Sequence, residues 1–329
     1  MKTLKKILYI AFIFLPLILA AQNQSTEFSS KSGSFARMGF GARGIGMANS
    51  MAAVTSGNLV SYYNPALSVY QEKNSFHTSY SFLSMDRSLN FLNFTKRFEF
   101  GSENKKRKAR AGLSLGIINA GVDNIQERDN QGNKVGDVST SENQFFISVA
   151  NQISNKLSIG VGIKFYYYDL YEEISSSGVG FDVGALFRFS DRVKMSLVIS
   201  DINSKYEWDT NELYDEDGNN TTYKFPTSKK IGLSYLIKKD ILISGEFDLY
   251  DGDNNFLRFG AEYNIFENLF LRGGIDRINL SNTDYPIRPS FGFSYLYKLN
   301  SNYVGVDYAF VFEPYSAGDR HIVGVNFRF

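Results

Sequence analysis

The chain has 329 residues, with 35 Lys or Arg against 34 Asp or Glu, and this near-balance offers no electrostatic case for a nucleic-acid partner. It has no cysteine, which removes disulfides, thiol catalysis and thiolate metal sites, and only two histidines, His77 and His321, far apart in sequence. Aromatic residues make up 16% of the chain while mean hydropathy is slightly negative, which excludes a greasy helical bundle and suits a sheet with one apolar and one polar face.

Lys2, Lys5 and Lys6 form a basic start, Ile7 to Leu19 is apolar, and the small Ala20 and Ala21 precede a polar run from Gln22. This layout predicts a secretory signal peptide over 1–21, cleaved near Ala21, and with no Cys after it a lipoprotein anchor is not expected. Downstream, no apolar run reaches about 18 residues, so spanning helices are not expected. A membrane protein of this kind must then be a closed barrel, because an open sheet edge cannot be hydrated in lipid.

Residues 22–71 do not follow a strand pattern. They hold the Gly-rich run Gly39-Phe40-Gly41-Ala42-Arg43-Gly44-Ile45-Gly46-Met47, small apolar residues through Val54, and then Tyr62-Tyr63-Asn64-Pro65-Ala66-Leu67. From about residue 75 to the end, over a predicted barrel domain of 72–329, apolar residues alternate with Gly, Ser, Asn and charge. Leu157, Ile159, Val161, Ile163 and Phe165 alternate with Ser158, Gly160, Gly162 and Lys164; Leu257 to Ile265 and Val323 to Phe329 repeat the pattern. Segments of about 9–11 residues match a tilted bilayer crossing. They begin near Ser75, Ser88, Ala109, Asn143, Lys156, Gly178, Arg192, Thr227, Ile241, Phe256, Asn268, Ser290, Asn302 and His321, an even set of about fourteen. Short turns such as Ser154-Asn155 and Phe266-Glu267 alternate with longer loops at 120–142, 201–226, 277–289 and 313–320, as on the two sides of an outer-membrane barrel. The competing soluble sandwich or propeller would show similar alternation but explains neither the secretory start nor the aromatic excess.

The run GARGIGMANSMAAV followed by YYNPAL resembles the N-terminal signature of the PorV/PorQ family, relatives of the FadL-like outer-membrane barrels. Gly41, Ala42, Arg43, Gly46, Met47, Asn64, Pro65 and Ala66 carry the match; Tyr63 stands where Trp is common, and Ser56-Gly57 where acidic residues are common. The resemblance implies an all-β antiparallel transmembrane barrel of about 14 strands, with residues 22–71 folded back as a hatch in its lumen. It places the protein in the outer membrane of a Gram-negative, Bacteroidetes/Chlorobi-like bacterium. The last strand, alternating to Phe327 and Phe329, resembles the signal read by barrel-assembly machinery. Two function classes follow from the resemblance. One is a role in type IX secretion, binding or escorting secreted proteins or secretion subunits through extracellular loops, where Tyr206, Trp208, Tyr214 and Tyr223 would supply contact surface. The alternative is FadL-like passive transport of hydrophobic small molecules such as long-chain fatty acids through the lumen. An open porin ranks third, since a filled lumen argues against it.

The predicted inward residues Gly112, Gly116, Gly160, Gly162, Gly184, Gly232, Gly260, Gly292, Gly305 and Gly324 leave room for a piece of chain inside; accommodating barrel curvature is the other use of such glycines. Glu246, Asp248, Arg258, Glu262, Arg272 and Asp276 are expected inward on three consecutive strands. Opposite charges on neighbouring strands make a lumenal salt-bridge ladder simpler than acid–base catalysis, so no enzyme and no cofactor are expected. Gly39 to Gly44 spells G-x-G-x-x-G but lacks the preceding strand of a dinucleotide site. Asp251, Asp253, Asn255 and Glu262, like Asp215-Glu216-Asp217-Gly218, read as solvated loop acids rather than a calcium loop. The basic run Lys105 to Lys108 with Arg110 falls on the periplasmic side by strand parity, facing anionic lipid or simply water.

Overall fold

Period-two alternation puts two kinds of side chain on opposite faces of a strand, so the fold turns on what each face meets. The computed structural model describes residues 31–101, 109–171, 174–211, 218–251, 254–280, 285–314 and 316–329. The expected signal peptide, residues 22–30, Lys105 to Lys108, Asp215 to Asp217, Tyr214 and Asp253 lie outside them. Among the described residues the strands are β1 (Ser75–Phe82), β2 (Arg87–Phe100), β3 (Ala109–Arg128), β4 (Lys134–Gln152), β5 (Leu157–Tyr171), β6 (Ile174–Arg188), β7 (Val193–Ile202), β8 (Lys205–Asp209), β9 (Asn220–Lys224), β10 (Ser228–Lys238), β11 (Ile241–Tyr250), β12 (Asn254–Phe266), β13 (Leu269–Asn279), β14 (Arg288–Leu299), β15 (Asn302–Val311) and β16 (Arg320–Arg328).

Fourteen of these strands form one closed antiparallel barrel, each paired with its neighbour along the chain except that β7 pairs β10. β1 closes the ring on β16, from Ser75 opposite Arg328 to Phe82 opposite His321. β8 and β9 make a separate hairpin in the connection between β7 and β10. On β5, Ser158, Lys164 and Tyr166 are buried inside while Ile159, Val161, Ile163 and Phe165 stand exposed outside. The same holds around the ring: Val161 is 51% and Phe291 55% exposed, an apolar belt that water would not tolerate and lipid tails accept. Outward rings pack in pairs at both rims, Phe187 with Phe189 and Phe327 with Phe329 at one end, Tyr80 with Phe82 and Phe310 with Phe312 at the other. Such girdles mark the two interfaces of a membrane-spanning barrel. The end holding the short turns and the barrel's termini is called the turn end below, and the other the loop end.

The expected loop at 120–142 is instead the continuation of two strands. β3 and β4 run for 20 and 19 residues, about twice a bilayer crossing, and stay paired out to Arg128 opposite Lys134. Beyond the lipid both faces meet water, so alternation fades while the hydrogen-bond ladder continues. The tip turns at 129–133, where Asp129 Oδ1 accepts from the backbone N–H of Gln131 and Asn133, both at 2.8 Å, and Gly132 takes φ +83°. Hydrogen bonds from Asn133 hold the Asp129 carboxyl below the ordinary aspartate range.

Two of the barrel's bulges carry charged residues inward. Asp201 on β7 and Arg277 on β13 adopt left-handed φ of 61° and 59°, each next to a register shift in its ladder. Left-handed backbone at a non-glycine residue costs about 1–3 kcal/mol, so surrounding contacts must hold it. The effect is that Ser200 with Asp201, and Asp276 with Arg277, are consecutive residues buried together.

Candidate functional site: the plugged lumen

The lumen is filled by the N-terminal segment. Most of residues 35–71 are buried, including a 3-10 turn at Phe35–Arg37, helix α1 (Gly41–Gly46) and a 3-10 helix at Pro65–Tyr70. Helix α1 packs against β13 to β16 and β1, and the 3-10 helix against β2 to β6.

Glycines on the wall make this possible. A Cβ built at Gly160 would lie 2.5 Å from the Pro65 backbone, and at Gly112 2.4 Å from that of Ser68. At Gly184 it would lie 2.1 Å from Asn64 Oδ1, and at Gly260 2.4 Å from the Met47 carbonyl oxygen. A Cβ at Gly292 would lie 3.4 Å from the Gly46 Cα, and one at Gly232 3.3 Å from the Cβ of Ala52. These six, of the ten named from sequence, make room for chain. Gly116 instead accommodates the Phe146 ring, while Gly162, Gly305 and Gly324 meet only barrel residues. Gly274, where a Cβ would lie 2.7 Å from that of Ala48, is a seventh beyond the ten named from sequence.

The plug is also stapled to itself. The Tyr63 hydroxyl accepts from Phe40 N at 2.9 Å and lies 2.8 Å from Phe40 O and 2.9 Å from Asn49 Oδ1. The Tyr62 hydroxyl donates to Ala36 O at 2.7 Å. Asn64 caps the 3-10 helix, its Oδ1 accepting from Ala66 N at 2.9 Å, and Pro65 fills the first helical position, where its missing N–H costs nothing. Asn64 Nδ2 also donates to Ala52 O at 2.9 Å.

All six residues of the predicted charge ladder face inward and are buried. Arg258 bridges Asp248 and Asp276 and reaches Glu246 at 3.5 Å, and Arg272 Nε donates to Glu262 at 2.6 Å. The plug docks into this ladder. Arg43 makes a two-pronged contact with Glu262, Nε to Oε2 at 2.9 Å and Nη2 to Oε1 at 2.8 Å. Its Nη1 donates to Ser56 O at 2.6 Å. Two more ladder carboxylates take plug donors: Glu246 from Ala52 N at 3.1 Å and Asp276 from Asn49 Nδ2 at 3.3 Å. Gly41 and Met47 are buried, Gly41 at φ +68° where an added Cβ would run into the His77 ring.

A second buried charge cluster was not anticipated. Lys164 Nζ pairs with Asp182 and Asp201, both at 2.9 Å, and the Tyr166 hydroxyl donates to Asp201 at 2.7 Å. Parity alone points Lys164 and Asp182 inward; Asp201 joins them only through its bulge.

A cavity of about 240 Å³ at the turn end is bordered by Arg43, Glu262, Arg272 and Arg328. A larger one of about 900 Å³ opens at the loop end. The two share no lining residue, and the plug lies between them. The β8–β9 hairpin leans over the loop end, and Tyr206, expected as contact surface, is only 1% exposed. Its ring packs on Phe225 at 5.0 Å and Tyr168 at 5.6 Å because Gly178 lets the Lys205 backbone come close. Trp208 packs on Tyr168 at 5.3 Å, and Tyr223 is exposed.

No family model matches the chain. No curated protein matches it. Solved structures do. The chain is similar to the Ralstonia pickettii toluene transporter TbuX at 12% identity, over 88% of this chain and 98% of that one, with a TM-score of 0.59. It is similar to a Pseudomonas aeruginosa FadL homologue at 10% identity, over 88% and 98%, with a TM-score of 0.58. The Pseudomonas putida toluene transporter TodX matches at 12% identity, over 88% and 96%, with a TM-score of 0.57. At these identities the likeness is one of fold, a closed antiparallel barrel.

Proposed function

We propose that the chain is an outer-membrane channel for hydrophobic small molecules, closed at rest by its N-terminal hatch. The observation that carries this is the way the plug is held. A permanent stopper would be secured by apolar packing alone, whereas this one is also docked through Arg43, Asn49 and the Ala52 amide onto ladder carboxylates. Polar contacts of this kind can be exchanged for contacts with water when the plug shifts, while buried apolar side chains such as Phe40, Ile45 and Leu67 hold it in place at rest. Cavities on both sides give cargo a place to wait. The toluene transporters among the structural neighbours support the same reading. Residues 22–71 are then the hatch, with Asn64-Pro65-Ala66 as its rigid corner. Phe327 and Phe329 serve the barrel-assembly machinery, and residues 1–21 direct export.

The PorV/PorQ-like motif supports a second reading, in which the barrel escorts secreted proteins. The projecting β3–β4 hairpin, with Ile125 and Val135 exposed, would be its contact surface. Deleting the gene separates the two. Lost uptake of labelled toluene or long-chain fatty acid with an unchanged secreted proteome supports transport; the reverse supports secretion.

A further inference from the structure

The described lining of the loop-end cavity carries more basic than acidic side chains. Among its described lining residues, Arg37, Arg87, Arg277, Arg288 and Arg320 are cationic and Glu313 alone is acidic. Glu313 is shared, 3.1 Å from Arg288 Nη1 and 3.7 Å from Arg320 Nε. Arg277 Nε reaches Asp276 only at 4.0 Å, and Asp276 is already held by Arg258. Counting both Glu313 and Asp276 against Arg87, Arg277, Arg288 and Arg320 leaves two positive charges among the described residues.

Arg277 and Arg320 are 7% and 3% exposed, and the Nε of each lacks a hydrogen-bond partner among the described residues. A buried guanidinium N–H without an acceptor is unfavourable, because its desolvation goes uncompensated. The backbone adds strain to hold Arg277 here, since its left-handed φ of 59° is what turns it inward. An anion entering the cavity would supply the missing acceptors. Met38, Leu83, Val122 and Tyr285 line the same cavity and offer an apolar wall beside the charge.

We infer that this cavity binds a single-chain amphiphile with a phosphomonoester headgroup, in preference to an uncharged hydrocarbon. Arginine forks match phosphate and carboxylate oxygens alike, but a phosphomonoester brings close to two negative charges and three acceptor oxygens at neutral pH. A single carboxylate would neutralise only one of the two surplus charges. This site rests on the transport reading and narrows its cargo.

The test uses the full mature protein in uncharged detergent, titrated calorimetrically with dodecyl phosphate, laurate, dodecanol and inorganic phosphate. Dodecyl phosphate is expected to bind tightest, about tenfold over laurate and more over dodecanol. Arg277→Gln and Arg320→Gln should each weaken dodecyl phosphate about tenfold and leave dodecanol unchanged. Laurate or dodecanol binding as tightly as dodecyl phosphate overturns the inference, as does unchanged affinity in both variants. Equal affinity for inorganic phosphate overturns the amphiphile part, leaving a bare anion site. Should the variants misfold, salt decides: dodecyl phosphate binding must weaken from about 0.05 to 0.5 M NaCl while dodecanol binding does not. Toluene entry into proteoliposomes is followed in parallel. Entry without phosphate preference removes this site and spares the transport reading; preference without entry does the opposite.

Discussion

Replacing Arg43 by Ala removes both prongs of the plug's docking on Glu262 and its bond to Ser56 O at 2.6 Å. Arg43 and Glu262 are both buried, so this is not a surface pair of negligible worth. Breaking a buried ion pair by removing one partner costs about 3–5 kcal/mol. Two features lower that figure here. Arg272 still holds Glu262 at 2.6 Å, and the adjoining cavity of about 240 Å³ admits water to the orphaned oxygen. An estimate of about 2–3 kcal/mol remains, which raises the undocked fraction of the plug roughly 10²-fold. Hydrogen exchange resolved over residues 41–71 reads this directly, and single-channel conductance in a planar bilayer reads it a second way. Arg43→Ala should speed exchange across the plug while leaving barrel strands protected, and should add brief openings. Glu262→Gln should do the same more weakly, since an amide oxygen still accepts one bond. Exchanging the two charges should not rescue docking, because an arginine at 262 would face Arg272. Wild-type exchange rates in Arg43→Ala would refute the claim that this pair seats the plug.

The wall glycines give a matched contrast on one face of β5. Gly160→Ala drives a methyl into the Pro65 backbone and should loosen the plug by about 1–3 kcal/mol, seen as faster exchange at 64–70. Gly162→Ala meets nothing closer than 3.4 Å and should leave exchange unchanged. Asn64→Ala loses the cap on the 3-10 helix and the bond to Ala52 O, a cost of about 0.5–2 kcal/mol, read as lost protection at Ala66. At the hairpin tip, the bound Asp129 carboxylate stabilises the turn above the ordinary aspartate range, and that contribution is lost as pH falls through its lowered value. The Asn133 amide resonance should therefore titrate with a midpoint below that of an exposed aspartate.

The barrel was legible because lipid on one face and a wet, plugged lumen on the other write themselves as alternation, strand after strand. Legibility failed wherever those surroundings ceased to differ. Residues 120–142 lie beyond the lipid, so paired strand read as loop. Asp201 and Arg277 sit at bulges, where one inserted residue reverses parity, and backbone strain leaves no mark in composition. The ladder on β11 to β13 could be read because Glu246 lies opposite Arg258 and Glu262 opposite Arg272, and parity holds as far as Asp276 before the bulge intervenes. Its docking with Arg43 could not, because a contact between residues 43 and 262 depends on how the plug folds. The glycines were ambiguous for a related reason: Gly160 and Gly162 look alike in sequence, and only the position of Pro65 separates them.

The absence of native cysteine permits one direct test of the central claim that the plug must move for cargo to pass. A Cβ at Gly232 lies 3.3 Å from that of Ala52, close to disulfide geometry once the Ser196 hydroxyl at 2.5 Å rotates aside. Toluene entry into proteoliposomes is measured for Ala52→Cys/Gly232→Cys, oxidised and then reduced. Entry blocked by oxidation and restored by reduction is the predicted result; equal entry in both states would contradict the account.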